Sequence, residues 1–96
     1  MSYAPKIVLQ LPISDLNLLD AFVEECLRDG VSLIAVVGKG ASKIDDIIDE
    51  IVVGDGSDPR RYITTSFRED ATLEEALDFA RMWEQDLGQA VQLVNL

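Results

Sequence analysis

Residues 31–51, VSLIAVVGKGASKIDDIIDEI, decide the fold of this 96-residue chain. An unbroken apolar run, Val31 to Val37, predicts a strand in the middle of a sheet, because both of its faces need a covering of helices. Isoleucines at helical spacing follow, which predicts a helix with one buried face. The same alternation of apolar run and amphipathic stretch occurs three times and closes on a fourth apolar run. This pattern predicts an α/β domain.

The segment before this stretch supplies the first strand and helix. Lys6 to Leu11 predicts the strand, which Pro12 ends. We expect Ser14 to cap the following helix and Gly30 to end it. The predicted buried face of this helix consists of Leu19, Phe22, Val23, Cys26 and Leu27.

The second helix is expected to begin at Ser42, with Asp45 as a partner resembling a capping box, and to end at Gly54. Its predicted core face consists of Ile44, Ile47, Ile48 and Ile51. Because Ile51 to Val53 are three β-branched residues in a row, a short extra strand remains an alternative there. Helix is the favoured prediction.

Two further strands have a more polar pattern, which is typical of the edges of a sheet. They are predicted at Arg61 to Phe67 and at Ala90 to Leu96. Thr72 and Glu75 predict a capping box at the start of the third helix, which we expect to run to Leu87. Its predicted inward residues are Ala76, Phe79, Ala80, Trp83 and Leu87.

Four strands joined by three helical crossovers must be largely parallel, since a short hairpin cannot return the chain to the same end of the sheet. The sequence therefore predicts a three-layer α/β sandwich with a four-stranded, mostly parallel sheet. Placing the two most apolar strands centrally gives the order 3-2-1-4, which is half of a Rossmann sheet, and 2-1-3-4 is the alternative. The length predicts a single domain, residues 1–96.

The charge of the chain restricts its partners. Eight basic and eighteen acidic residues give a net charge of −10. Such a surface repels phosphate backbones and anionic lipids, so we expect neither nucleic acid nor a membrane as partner. A basic protein partner fits this charge, and an acidic inhibitor is a further hypothesis. The inhibitor would need carboxylates clustered on one face, whereas residues 1–53 and 54–96 each carry four basic and nine acidic residues.

The residue inventory predicts no catalytic residue, no cofactor and no metal. The chain has no histidine and a single cysteine, Cys26, so nucleophile–histidine pairs, ordinary zinc sites and an intrachain disulfide are excluded. Cys26 is expected in the core. Asp55 and Asp58 lack the further oxygens of a calcium-binding EF-hand and predict a turn. These observations favour a non-enzymatic protein, and the lack of a signal-peptide pattern predicts a cytoplasmic one.

One loop has the composition of an anion site. In parallel sheets, ligands collect beyond the carboxyl ends of the strands, and the loop after the most apolar strand starts a helix there. Backbone N–H groups, the helix dipole and two ammonium groups would converge on an anion in it. Because neither a Walker A motif nor a dinucleotide fingerprint is complete, a simple turn with solvated lysines remains an alternative. The candidate residues are Gly38, Lys39, Gly40, Ser42 and Lys43.

The last helix carries a wide apolar sector, formed by Phe79, Met82 and Trp83. These residues either belong to the core or extend it into an exposed patch that would mark an interface. The two edge strands offer a second route to pairing. Our first hypothesis is therefore a protein-interaction module, either a homodimer or bound to another protein. The second is a phosphate- or nucleotide-binding protein that uses the loop of Gly38 to Lys43.

The strand Ile63 to Phe67, a short acidic loop and the stretch Thr72 to Ala80 (TLEEALDFA) together resemble a pattern found in small acidic bacterial α/β domains of unknown function. The resemblance implies a bacterial cytoplasmic protein. It assigns no active residue.

Overall fold

The computed structural model describes residues 3–58, 61–83 and 90–96. The described residues form seven elements in the predicted alternation, and the four strands make one parallel sheet in the order β3-β2-β1-β4. The predicted order 3-2-1-4 is thus confirmed. The elements are β1 (Lys6–Gln10), α1 (Leu18–Asp29), β2 (Leu33–Val37), α2 (Ala41–Val53), β3 (Thr64–Arg68), α3 (Leu73–Met82) and β4 (Val91–Val94).

The sheet separates two layers of helices, which confirms the three-layer sandwich. Successive side chains of a strand point to opposite faces. Ile7 and Ile34 accordingly pack with the buried residues of α1 and α2, whereas Val8 and Ala35 pack with those of α3. β2 is buried along its whole length, as a central strand covered on both faces requires.

The prediction that Ser14 caps α1 is wrong. The helix begins at Leu18, and its N-cap residue, Asn17, makes no side-chain capping bond. Asp15 organises a turn before the helix, since its carboxylate accepts a hydrogen bond of 2.9 Å from the N–H of Asn17. Ser14 instead donates its N–H to the carbonyl of Leu96. The helix ends before Gly30, as predicted.

The predicted cap of α2 is wrong as well. Gly40 takes the N-cap position, with a left-handed φ of 86° and no side-chain bond, so Ser42 lies within the first turn. Asp45 does not reach back to the cap and is only 7% exposed, because helical spacing places it on the face of the buried isoleucines. The helix continues through Val53, which confirms helix rather than strand at residues 51–53. The buried residues of α2 are Ala41, Ile44, Asp45, Ile48 and Val52, while Ile47 and Ile51 are partly buried.

The capping box of α3 is confirmed. Glu75 donates its N–H to the hydroxyl of Thr72 at 3.1 Å, and the Glu75 carboxylate accepts from the N–H of Thr72 at 2.9 Å. α3 ends at Met82, and the predicted continuation to Leu87 lies outside the described residues. Its inward residues Ala76 and Ala80 are buried, and Phe79 and Trp83 are partly buried. No helix in residues 3–58, 61–83 and 90–96 is long and apolar enough to cross a bilayer.

β3 and β4 lie at the two edges of the sheet, as predicted. β3 starts later than expected because Arg61 serves the preceding helix instead. The guanidinium of Arg61 donates to the carbonyls of Ile51 and Val52, at the end of α2, and to the carboxylate of Glu24 on α1. Arg61 thus satisfies carbonyl groups that a helix end leaves without intrahelical partners.

A buried lysine of the sheet forms hydrogen bonds to the end of α3. Lys6 belongs to β1 and its side chain is fully buried. Its ammonium group donates to the carbonyl oxygens of Arg81 and Trp83, both at 3.3 Å. These carbonyls lie at the C-terminal end of α3, where the helix dipole favours a positive charge.

Candidate functional site

The carboxyl ends of β1, β2 and β3 meet at one end of the sheet, as expected from the parallel topology. The N–H of Leu11 donates to the carbonyl of Val37, and the N–H of Gly38 donates to the carbonyl of Arg68. Gly38 has a φ of 125°, and a Cβ atom there would lie 3.0 Å from the Cβ of Leu11. The close approach of the three loops therefore depends on a glycine at position 38.

The five predicted anion-site residues lie in this loop and in the first turn of α2. A carboxylate of the protein already contacts the loop. The N–H of Gly40 donates to Oε1 of Glu69 at 3.3 Å. Glu69 belongs to the loop after β3, and the sequence gives no indication that it reaches across to α2. An anionic ligand at this helix N-terminus would have to displace that carboxylate or bind beside it.

The remaining donors of the loop are oriented by the first turn of α2. Within the described ranges, the N–H groups of Ser42 and Lys43 have no acceptor outside the helix, as is usual for the first turn. The side chains of Lys39 and Lys43 are exposed. The loop thus leads into the N-terminus of α2, as predicted, and anion binding by its backbone and lysines stays a prediction.

The single thiol is unsuited to chemistry. Cys26 is fully buried within the core between α1 and the sheet. Burial, followed by the negative charges of Asp29 and Glu25, raises the pKa of the Cys26 thiol to about 12. The thiolate is the reactive form of cysteine, so this residue is a core residue, as its place in the helical pattern predicted.

One edge of the sheet is formed by β3. The N–H of Thr64 donates to the carbonyl of Ser32, and the carbonyl of Arg68 accepts from the N–H of Gly38. Because backbone direction alternates along a strand, the N–H and C=O groups of Thr65 and Phe67 point away from β2. Within the described chain, β2 is the only strand that pairs with β3. β3 therefore presents unpaired backbone groups at the edge.

Apolar side chains border this edge on both faces of the sheet. Tyr62 is 74% exposed, Met82 62% and Phe67 47%. The guanidinium of Arg68 lies 5.5 Å from the ring centre of Phe79 and covers it in part. An open groove runs between β3 and α3, and its lining residues are Arg68, Glu75, Asp78, Phe79, Met82 and Trp83.

The match to a known family extends over nearly all of this architecture. The model of a domain of unknown function, DUF7684, matches residues 7–96, from β1 to the end of the chain. The chain belongs to the DUF7684 family. The resemblance to domains of unknown function that the sequence suggested is thereby confirmed. No curated protein and no solved structure shows significant similarity to the chain.

Family membership covers every element of this DUF7684 domain but assigns no chemistry to any residue. The loop from Gly38 to Lys43 offers donors to an anion and faces the carboxylate of Glu69. The β3 edge offers backbone groups and apolar side chains, and the carboxylate of Asp49 contacts it at the Thr65 hydroxyl rather than at a backbone N–H.

Proposed function

We propose that this DUF7684 domain is a protein-interaction module that forms a homodimer through the free edge of β3. The proposal depends on the unpaired backbone groups of the edge strand β3, Thr64–Arg68, which is five residues long. Natural proteins commonly protect such edges with lysine, proline or a bulge. β3 carries neither lysine nor proline, its own Phe67 is exposed, and exposed Tyr62 lies just before it.

The sequence of β3 suits pairing with a second copy of itself. In an antiparallel pair with its two-fold axis at Ser66, Thr65 of each copy faces Phe67 of the other, and their outward N–H and C=O groups form the hydrogen bonds. Arg68 then faces Thr64 of the second copy. This register puts no like charges opposite each other, and the two Phe67 rings become diagonal neighbours within reach of contact.

The overall charge sets the salt dependence of this dimer. Two copies at −10 each repel at long range, whereas the paired strands carry only one charged residue each, Arg68. Added salt screens the repulsion and leaves the strand pairing nearly unchanged. Association of the copies should therefore tighten as salt is raised, whereas association with a basic partner protein would weaken.

Sedimentation equilibrium of the wild type and of Phe67→Lys tests the proposal. We expect a wild-type dimer whose dissociation constant falls between about 50 mM and about 500 mM NaCl. Phe67→Lys should raise that constant by at least about tenfold, because a lysine on an edge strand opposes pairing and the aromatic contact is lost.

Val53→Lys is the matched control, since Val53 is 57% exposed at the end of α2 and the substitution changes the charge equally. This variant should dimerise as the wild type does. A wild type that stays monomeric at about 1 mM protein in high salt overturns the proposal, as does equal dimerisation of all three proteins.

Anion binding by Gly38 to Lys43 remains the alternative function. It has the donors described above, but the carboxylate of Glu69 lies on the same N-terminus, so the β3 edge is the better supported site. The acidic inhibitor has no further support. A bacterial origin, a cytoplasmic location and a relation to Rossmann domains beyond the strand order also stay predictions.

A further inference from the structure

Three aspartates of α2 come together beside β3. They are Asp45, Asp46 and Asp49, and one carboxylate oxygen of each lies within 4.8 Å of the other two. Asp46 and Asp49 are exposed, whereas Asp45 is buried. Exposed carboxylates are common on an acidic protein, so the buried member determines what this cluster can do.

One oxygen of the Asp45 carboxylate, Oδ1, lacks a hydrogen-bond partner among the described residues. Asp45 is 7% exposed. The nearby hydroxyl of Thr65 does not supply one to Oδ1, since it donates to Oδ1 of Asp49 at 2.6 Å. Burying a polar atom without a hydrogen bond destabilises the folded state. A species bound at this carboxylate would reduce that cost.

Positive side chains do not neutralise the cluster either. In the part of the chain that the structure describes, no lysine or arginine forms an ion pair with Asp45, Asp46 or Asp49. The ion pairs there are Arg28 with Asp29, Arg61 with Glu24, and Arg81 with Asp78. The three carboxylates on α2 therefore lie close together, and no described lysine or arginine forms an ion pair with them.

A proton and a metal cation are two species that would bring positive charge to these carboxylates. Burial, together with the charges of Asp49 and Asp46 and against the opposing effect of the Thr65 hydroxyl, raises the pKa of Asp45. A proton would neutralise one carboxylate and leave the others to repel each other. A divalent cation would be shared by all three carboxylates and would offset the charge of the buried one.

We propose that Asp45, Asp46 and Asp49 bind a divalent cation of the Ca²⁺ or Mg²⁺ type. Opposite ligand oxygens lie about 4.6–5.2 Å apart across Ca²⁺ and about 4.0–4.2 Å apart across Mg²⁺, so oxygens within 4.8 Å of one another fit such an ion. A ligand set of oxygen atoms alone favours hard cations over zinc or copper. The hydrogen bond from Thr65 orients the Asp49 carboxylate, as outer partners of metal ligands do.

Calorimetric titration of the chelator-treated full chain with CaCl₂, and separately with MgCl₂, tests this site. We expect one ion per chain, and an affinity that falls as the pH drops and the carboxylates take up protons. Asp45→Asn should weaken binding at least about tenfold, because it removes the buried charge. Without metal, the same variant should unfold at a higher temperature than the wild type, since an amide at this position takes no part in the repulsion among the carboxylates.

Asp20→Asn is the matched control, because Asp20 is exposed on α1 and the substitution removes the same charge. It should bind the ion as the wild type does. No binding of either ion to the wild type overturns the proposal. Equal binding by all three proteins overturns it too, since that result means diffuse attraction to an acidic surface. The titration does not require dimers, so its outcome is separate from that of the β3 experiment.

Discussion

Single residues decide whether the loop after β2 can hold an anion. The sequence correctly placed two glycines and two lysines at this helix N-terminus, but it could not reveal Glu69, which reaches Gly40 from a loop 29 positions further on. Asp45 illustrates the opposite case. Its spacing from Ala41, Ile48 and Val52 already predicts a buried position, and the interpretation as a cap partner obscured that signal.

Replacing Glu69 by glutamine should strengthen any binding of phosphate to the loop. The variant removes a negative charge that lies a hydrogen bond away from Gly40, and at that range in a surface environment we expect about a fivefold gain in affinity. Phosphate titration followed by NMR is the measurement. Glu74→Gln removes an equal charge from an exposed position on α3 and should leave binding unchanged. Absence of phosphate binding in every variant would eliminate Gly38 to Lys43 as an anion site.

At the scale of elements, the three helices differ in how their starts are fixed, and this explains which boundaries could be predicted. Thr72 and Glu75 form a local and reciprocal motif, so the start of α3 follows from the sequence. α1 and α2 start without a side-chain cap because a turn at Asp15 and the left-handed Gly40 shape the entering chain. The first residues of these two helices depend on tertiary packing. The presence of a short polar residue near the boundary therefore does not predict where the helix begins.

Thr72→Ala should lower the free energy of unfolding by about 1 kcal/mol, because α3 loses its N-cap acceptor. Thr72→Ser keeps that acceptor and should stay close to the wild type in urea denaturation. Hydrogen bonds from the N–H and then the hydroxyl of Thr72 lower the pKa of Glu75. The stabilisation from Glu75 is therefore present above the ordinary pKa of glutamate and is lost as the pH falls through the lowered value. If Thr72→Ala were as stable as wild type at neutral pH, the cap would not hold α3.

At the scale of the whole molecule, the topology was predictable from the sequence, whereas the contact between Lys6 and the end of α3 was not. Apolar runs at regular intervals require a sheet covered on both faces, so the strand order followed from ranking the strands by apolar character. Lys6 opens the first strand and in sequence resembles a solvated flank. In the fold it is fully buried and reaches carbonyls of Arg81 and Trp83, more than seventy positions away.

Lys6→Met should lower the free energy of unfolding by about 2 kcal/mol or more, because the carbonyls at the end of α3 lose charged hydrogen bonds while the apolar stem is retained. Urea denaturation monitored by circular dichroism measures the change. Lys43→Met, at an exposed position of α2, should change stability by no more than about 0.5 kcal/mol. Equal effects of the two substitutions would show that the buried ammonium does not fasten α3.

The two faces of the sheet carry cores of unequal size. Among the described residues, fifteen buried residues form the core on the side of α1 and α2, and six form the core under α3. Local opening should therefore cost least at α3, where the least apolar surface returns to water. Opening at α3 would expose Val8 and Ala35 in the middle of the sheet. We therefore expect a destabilised variant to aggregate through the face under α3 rather than through the face under α1 and α2.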